Sequence, residues 1–375
     1  MRFPADRRVT YRGAVVAPDP LLDLPGVPAL RERVEKRLLA AVESDDPTMT
    51  EMASHLVKAG GKRLRPVLAA LASATGPGAA GSETAGGSPG AGGEVVGGDG
   101  GTRGGAGHDV GDVGEAVSDD AVTGGVACEL VHVGSLHHDD VIDEASTRHG
   151  VESVNTRWGN LRAILSGDFL LARASELAAS LGTEVATLLA ATIGRLCEGE
   201  VRELQFAYQV DRAEADYVAA IEGKTAALYS TACRIGGLVA GFPRHHVDAL
   251  TRFGLHYGMA FQVVDDVLDV VATADELGKP AGHDMAEGIY NLPVLRTMPG
   301  PDGDELRGLL GAPLDPQAQA RALALVRRGD GVTQSIAEAG RYVHAADHAL
   351  DPLPPSPARD ALGAAARHLL AGVTP

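Results

Sequence analysis

Positive charge is in short supply in this chain: 33 Lys and Arg against 50 Asp and Glu give a formal net charge of −17. With no long basic run anywhere, a nucleic-acid surface is not expected, and any cationic site must be local. Cysteine is almost absent. Cys128, Cys197 and Cys233 are widely spaced and fit neither a disulfide framework nor a zinc motif, so they read as core thiols in a reducing compartment. No run of about 18 uncharged apolar residues occurs. The N-terminal MRFPADRRVTYRGAVVAPDP lacks the apolar core of a signal peptide, so a soluble cytoplasmic protein is the expectation. Aromatics are only 4% of residues while Ala and Leu dominate the periodic stretches, which favours helix over strand. There is no Ser/His/Asp or Cys/His arrangement to supply a nucleophile.

What is present is enough apolar material, 45% of 375 residues, for a sizeable core. Residues 1–27 read as a Pro-punctuated irregular arm, and 28–375 as one all-α domain interrupted by an insert at 76–125. In that insert 19 of 50 residues are Gly, and eight acids face the single base Arg103. Such a stretch cannot bury enough apolar surface to offset its ordering entropy, so it reads as a disordered loop. It is no nucleotide-binding loop, because neither G-x-x-x-x-G-K-[ST] nor a strand before G-x-G-x-x-G is there. Helical patterns follow at roughly 126–145, 157–182, 185–209, 212–240, 244–274, 288–298, 304–311, 316–328, 331–350 and 357–371. No convincing run of alternating strands interrupts them.

Two segments carry the chemistry. In HHDDVIDE, Asp139 and Asp143 stand four residues apart, one turn along one helix face, with Asp140 about 100° round. FQVVDDVLDVV repeats the spacing with Asp265, Asp266 and Asp269. Two carboxylates roughly 4 Å apart repel by about 4 kcal/mol at an effective dielectric of 20. Both groups sit in apolar sequence, among Val131, Val133 and Leu136 and among Phe261, Val263, Val264, Val267 and Leu268. A cation is therefore implied. Oxygen-only ligands suit hard ions, Mg²⁺ above all where a substrate brings phosphate oxygens. Phosphates need cations on their other side. AGGKRLRP supplies Lys62, Arg63 and Arg65 at a helix N-terminus, EGKTAALYS supplies Lys224 and Thr225, and LGKPAGHD supplies Lys279. The adjacent His137 and His138 point about 100° apart on a helix, so they read as packing or hydrogen-bonding residues.

The series GGKRLRP, HDDVIDEASTR, GDFLLARA, GKTAALYS, FQVVDDVLD and GKPAGHD resembles the trans-isoprenyl diphosphate synthases, or polyprenyl synthetases, from about Arg31 to the C-terminal helices. The resemblance implies an antiparallel helical bundle around a deep central cavity, usually a homodimer, with an allylic diphosphate held between the two aspartate clusters by three Mg²⁺ ions. Carried onto this chain, Asp139 and Asp143 would ligate two ions and Asp265 the third with help from Asp269, Asp140 and Asp266 completing the metal-binding set. Arg148, Lys224 and Lys279 would hold the allylic diphosphate, and Thr225 and Gln262 would line the reaction centre. Lys62, Arg65 and His132 would grip isopentenyl diphosphate. The family usually has a second arginine after the first cluster; here that position is His149, which implies weakened or pH-dependent binding of isopentenyl diphosphate. Family members that stop early place aromatics one turn before the first cluster, where this chain has Gly134 and Ser135 with Val131 beyond. The long-chain branch is therefore expected, with transient membrane contact as its greasy product leaves. A class I terpene cyclase fits less well, since its second site reads N/D-x-x-S/T-x-x-x-E. A regulatory subunit of a heteromeric synthase is the other alternative.

Overall fold

The computed structural model describes residues 21–22, 24–76, 117–273 and 281–373. Its helices are α1 Val27–Ala41, α2 Pro47–Ala59, α3 Leu64–Ser73, α4 Asp119–Ile142, α5 Val154–Trp158, α6 Asn160–Ser180, α7 Thr183–Gln205 and α8 Glu214–Ile221. A π-helical turn, Glu222–Ala226, leads into α9 Ala227–Val239 and α10 Arg244–Val271. Then come α11 His283–Ala286, α12 Leu292–Thr297, α13 Gly303–Leu309, α14 Pro316–Arg328, α15 Gly331–Ala349 and α16 Pro357–His368. The one sheet among the described residues is a hairpin, β1 Thr147–Arg148 antiparallel to β2 Val151–Glu152.

The core lies in two parts. One gathers α1–α4, α6 and α9 with α16, and the other gathers α8 and α11–α14; α10 contributes Phe253 and Tyr257 to the first and Val263 and Val267 to the second. At 28 residues, α10 is the spine that joins them. α4 is buried on nearly every side from Ala121 to Val131, as a helix must be when it is apolar all round. Its start is set by Ser118, whose Oγ accepts from the Ala121 N–H at 3.2 Å, with Asp119 and Asp120 in the first turn, where the helix dipole favours acids.

That start corrects the expected insert, whose last residues, from Asp119 to Gly125, are helical. Gly124 and Gly125 are helix contacts, not loop residues. A Cβ on Gly125 would lie 2.7 Å from Pro66 Cα, and one on Gly124 would lie 2.3 Å from Ile235 Cγ2. The disorder expected for the insert, and the arm at 1–20, fall outside the described residues. The hairpin is a second departure. His149 (φ 52°) and Gly150 (φ 78°) both take left-handed conformations, as a two-residue type I′ turn requires. Cys128 and Cys233 are buried as expected, but Cys197 is exposed on α7. Among the described residues no helix is long and apolar enough to cross a membrane.

Arg63 ties the N-terminal helices together. Its Nε donates to Glu35 Oε1 of α1 at 2.7 Å, its Nη1 to Glu129 Oε1 of α4 at 3.1 Å and its Nη2 to the Val57 carbonyl of α2 at 2.7 Å. It is 2% exposed, so it cannot join an open phosphate site with Lys62 and Arg65. Arg63→Met would strand Glu129 in the core at a cost of roughly 3–5 kcal/mol. The expected result is a Tm lower by about 6 °C or more, measured by calorimetry, and recovered in part by adding Glu129→Gln.

Candidate active site

α4 ends where its acids begin to crowd. Asp139 is in its last turn, and Asp143 closes it, its N–H donating to the Asp139 carbonyl at 2.8 Å. Burial raises the Asp139 carboxyl to about 7, with Lys224 and Arg148 opposing the rise and Glu200 and Asp143 adding to it. Asp143 is raised for the same leading reason, with Lys224 opposing and Glu287 and Glu200 adding. Neither side chain has a hydrogen bond or ion pair among the described residues. Asp140 behaves differently. It is wholly buried, and its Oδ1 accepts from Arg148 Nε at 2.7 Å and pairs with Nη2 at 2.7 Å. Its backbone carbonyl accepts from Asn155 Nδ2 at 2.8 Å. Expected as a metal ligand, Asp140 is turned inward, and it holds Arg148 instead.

The π-helical turn connects the two clusters. Lys224 Nζ lies 2.7 Å from Glu200 and 2.6 Å from Glu203 of α7, close enough to Asp139 and Asp143 to influence both. Burial opposes its charge, but Glu203 and Glu200 outweigh that, so it titrates above an ordinary lysine. The next residue serves the other cluster: Thr225 Oγ1 donates to Gln262 Oε1 at 2.7 Å, and Gln262 Nε2 donates to Asp266 Oδ1 at 2.9 Å. Such a turn is possible because α7 comes very close; a Cβ on Gly199 would lie 2.4 Å from the Lys224 nitrogen, and one on Gly223 2.8 Å from the Arg195 carbonyl. π-bulges of this kind recur at functional sites.

On α10, Asp265 is exposed while Asp266 and Asp269 are each 4% exposed. Asp266, also expected in the metal set, is engaged by Tyr217 and Gln262 inside the core. Its carboxyl is pushed well above the usual range by burial and then by nearby Asp284. Asp284 in α11 and Glu287 at its end stand one beside each cluster. Lys279 lies outside the described residues.

A cationic pocket backs the first cluster. Burial first, then Arg65, His149, Arg63 and Arg148, hold the His132 imidazole well below the ordinary histidine value. Arg65 sits 4.5 Å over the Tyr229 ring with its Nε buried and unpartnered, and Lys62 is exposed beside it. A buried guanidinium edge without an acceptor suits an incoming anion. His137 is buried among apolar residues, and His138 Nε2 meets the Ile164 carbonyl at 3.1 Å, so both are packing and hydrogen-bonding residues as expected.

The expected chain-length positions divide. Ser135 is half-buried, with its hydroxyl on the His132 carbonyl, and Val131 is fully buried. Gly134 faces α6 instead: a Cβ there would lie 3.1 Å from the Gly167 carbonyl and 3.3 Å from Leu170 Cβ. It sets a helix crossing, so the aromatic-bearing wall cannot be read from its size. Sequence reasoning missed Glu200, Glu203, Tyr217, Asp284 and Glu287. The signals were Asp284 at the end of GKPAGHD and Glu200 and Glu203 at a three-residue spacing in EGEVRELQ.

Among the described residues no three acid, imidazole or thiol groups converge closely enough to hold a metal ion by themselves. That fits magnesium, which is bound by one or two carboxylates plus water and substrate phosphates. The donors are right in kind: Asp139 and Asp143 are raised by burial first and by neighbouring acids after it, and a cation would offset both. A pocket of about 350 Å³ between Glu214, Arg296, Asp302 and Asp330 involves none of the expected site residues.

Comparison with known proteins agrees with this arrangement. The nonaprenyl diphosphate synthase of Mycobacterium tuberculosis is 36% identical, covering 88% of this chain and 89% of its own length. Heptaprenyl diphosphate synthase component 2 of Geobacillus stearothermophilus is also 36% identical, over 88% of this chain and 91% of that protein. The crystal structure of polyprenyl synthase from Caulobacter crescentus, complexed with calcium and isoprenyl diphosphate, superposes with a TM-score of 0.78 at 29% identity, over 94% of this chain and 97% of that one. Residues 46–326 match the family profile described as polyprenyl synthetase, and the chain belongs to that family.

Proposed function

We propose that the chain condenses an allylic diphosphate with isopentenyl diphosphate repeatedly, making a long-chain trans-polyprenyl diphosphate, with Asp139, Asp143, Asp265 and Asp269 holding three magnesium ions. The observation that carries this reading is the π-helical turn, where Lys224, held by Glu200 and Glu203 of α7, lies near enough to Asp139 and Asp143 to influence both, while the next residue, Thr225, bonds Gln262 on the helix of the second cluster. Magnesium bound with the diphosphate supplies charge withdrawal from the leaving group. Arg148, oriented by Asp140, and Lys224, oriented by Glu200 and Glu203, bind the same diphosphate, joined by Lys279. Thr225 and Gln262 face the carbon that loses it. Isopentenyl diphosphate sits with its phosphates on Arg65, Lys62, His132 and His149, so its double bond approaches from the cationic pocket. The proton released at the end leaves on diphosphate, and no side-chain nucleophile is needed.

Homodimer formation is supported by an apolar face. Leu161, Ile164 and Leu165 of α6 are 72%, 41% and 50% exposed, and Val201 and Leu204 of α7 are 53% and 50% exposed. These are large side chains grouped on two adjacent helices, which a lone soluble chain rarely leaves uncovered. Leu165→Arg with Val201→Arg should halve the mass seen by light scattering; a wild-type protein that already runs as a monomer refutes the dimer.

A regulatory subunit of a heteromeric enzyme is the second reading, favoured by the component 2 relative. The purified protein, incubated alone with farnesyl diphosphate, labelled isopentenyl diphosphate and Mg²⁺, should yield polyprenyl diphosphates of about six units or more, and none after chelation. Activity only with a second subunit supports the regulatory role, and hydrocarbon products support a cyclase. Ser135→Phe should shorten the products in the same assay.

The His149 imidazole is lowered by burial and by Arg148 and Arg63, with Glu129 and a Gly60 contact opposing. A lowered value favours the neutral form, so at pH 7 and above His149 adds no charge to the anion site, and it gains a proton only in acid below its ordinary 6.5. His149→Arg restores a charge-assisted contact worth about 1.5–3 kcal/mol, and the left-handed turn, already held by a non-glycine residue with or without substrate, does not subtract from it. The KM for isopentenyl diphosphate should fall by about tenfold or more between pH 7 and 8.5. An unchanged KM removes His149 from that site.

A further inference from the structure

Behind the second aspartate cluster lies a chain of hydrogen bonds whose buried inner end, Tyr217 and Asp266, the reaction as set out above does not use. The Tyr217 hydroxyl of α8 donates to Asp266 Oδ2, while Gln262 Nε2 donates to Asp266 Oδ1 at 2.9 Å. The other end of the same amide, Oε1, accepts from Thr225 Oγ1 at 2.7 Å. Tyr217 is 2% exposed and Asp266 4%. The Arg212 guanidinium lies 5.7 Å from the Tyr217 ring centre and 5.6 Å from that of Phe206, and is itself 6% exposed.

We propose that Tyr217 is a positioning residue: through Asp266 it fixes which end of the Gln262 amide, and which side of the Thr225 hydroxyl, faces the reacting carbon. An amide can sit either way round, and a carboxylate oxygen decides between them by rejecting the carbonyl end. Oδ2 takes the Tyr217 proton, which leaves Oδ1 as the acceptor that the Gln262 Nε2–H meets at 2.9 Å. Its carbonyl oxygen is then turned to Thr225, whose proton is committed to it. What remains directed outward is lone pairs, from Gln262 Oε1 and Thr225 Oγ1. Negative dipole ends fixed before the reaction stabilise a developing allylic cation, whereas an N–H or O–H in the same place would oppose it. The proposal rests on the prenyl-transfer reading for the identity of that cation.

Reversing the polarity of the pair tests it. Gln262→Glu sets a carboxylate against Asp266 and should lower both the Tm and kcat, the latter by about 100-fold. Adding Asp266→Asn lets the new amide donate to the glutamate and accept from Tyr217, keeping the charge of the pair. The double variant should regain about tenfold in kcat, together with most of the lost Tm. That gain should vanish when Tyr217→Phe is added, and Asp266→Asn alone should leave the Mg²⁺ concentration for half-maximal rate unchanged. No recovery of Tm in the double variant overturns the hydrogen-bonded chain. Recovery of Tm without recovery of kcat reduces Tyr217 to a structural residue. A large shift in the Mg²⁺ requirement of Asp266→Asn makes Asp266 a metal ligand and ends the proposal. A wild-type protein that transfers no prenyl group overturns the functional reading instead, and the Tm measurements still decide whether the chain of bonds exists.

Discussion

A carboxylate taken out of water must be answered, by a cation or by donors, or it destabilises the fold by several kcal/mol. That constraint divides the acids of this protein into two kinds. Glu35 and Glu129 are answered by Arg63, Asp140 by Arg148, Glu200 and Glu203 by Lys224, and Asp266 by Tyr217 and Gln262. Asp139 and Asp143 have no such internal partner among the described residues, and both are raised. Within the first D-D-x-x-D motif the middle residue, Asp140, is thus satisfied by the chain itself, while the outer two leave room for a charge brought from outside.

The helical character and the shared face of Asp139 and Asp143 were legible because both follow from a period of 3.6 residues, which needs no tertiary information. The same arithmetic put Asp140 and Asp266 about 100° away, on the core side. Motif membership grouped them with the metal ligands, and it could not show the internal partners each of them has. Gly124 and Gly125 were misread for a related reason. Composition cannot distinguish a glycine that loosens a loop from one that lets two helices touch, and the difference is a neighbour, Pro66 or Ile235, distant in sequence. Arg63 carried the same charge as Lys62 and Arg65, and only its left-handed backbone turned it inward.

The π-helical turn was not legible at all, since a single inserted residue leaves the apolar pattern of α8 and α9 almost intact. Its consequence is large. Consecutive residues of a helix point about 100° apart, which lets Lys224 and Thr225 address different neighbours. The wider turn, pressed on α7 at Gly199 and Gly223, lets Lys224 reach the glutamates near Asp139 while Thr225 reaches Gln262. A close backbone contact thereby fixes the relation between the two acid clusters.

The hairpin after α4 extends the same logic to the substrate that carries no metal ligand of its own. Asp140 anchors Arg148 at the end of β1, and a left-handed His149 and Gly150 turn the chain back at once. Arg148 is thus shared, close enough to Asp139 and Asp143 to oppose their protonation and close enough to His132 to keep its ring neutral. One buried aspartate therefore orients a guanidinium whose charge is felt both at the first acid cluster and in the His132 pocket, so the two cationic edges are fixed together before any anion arrives.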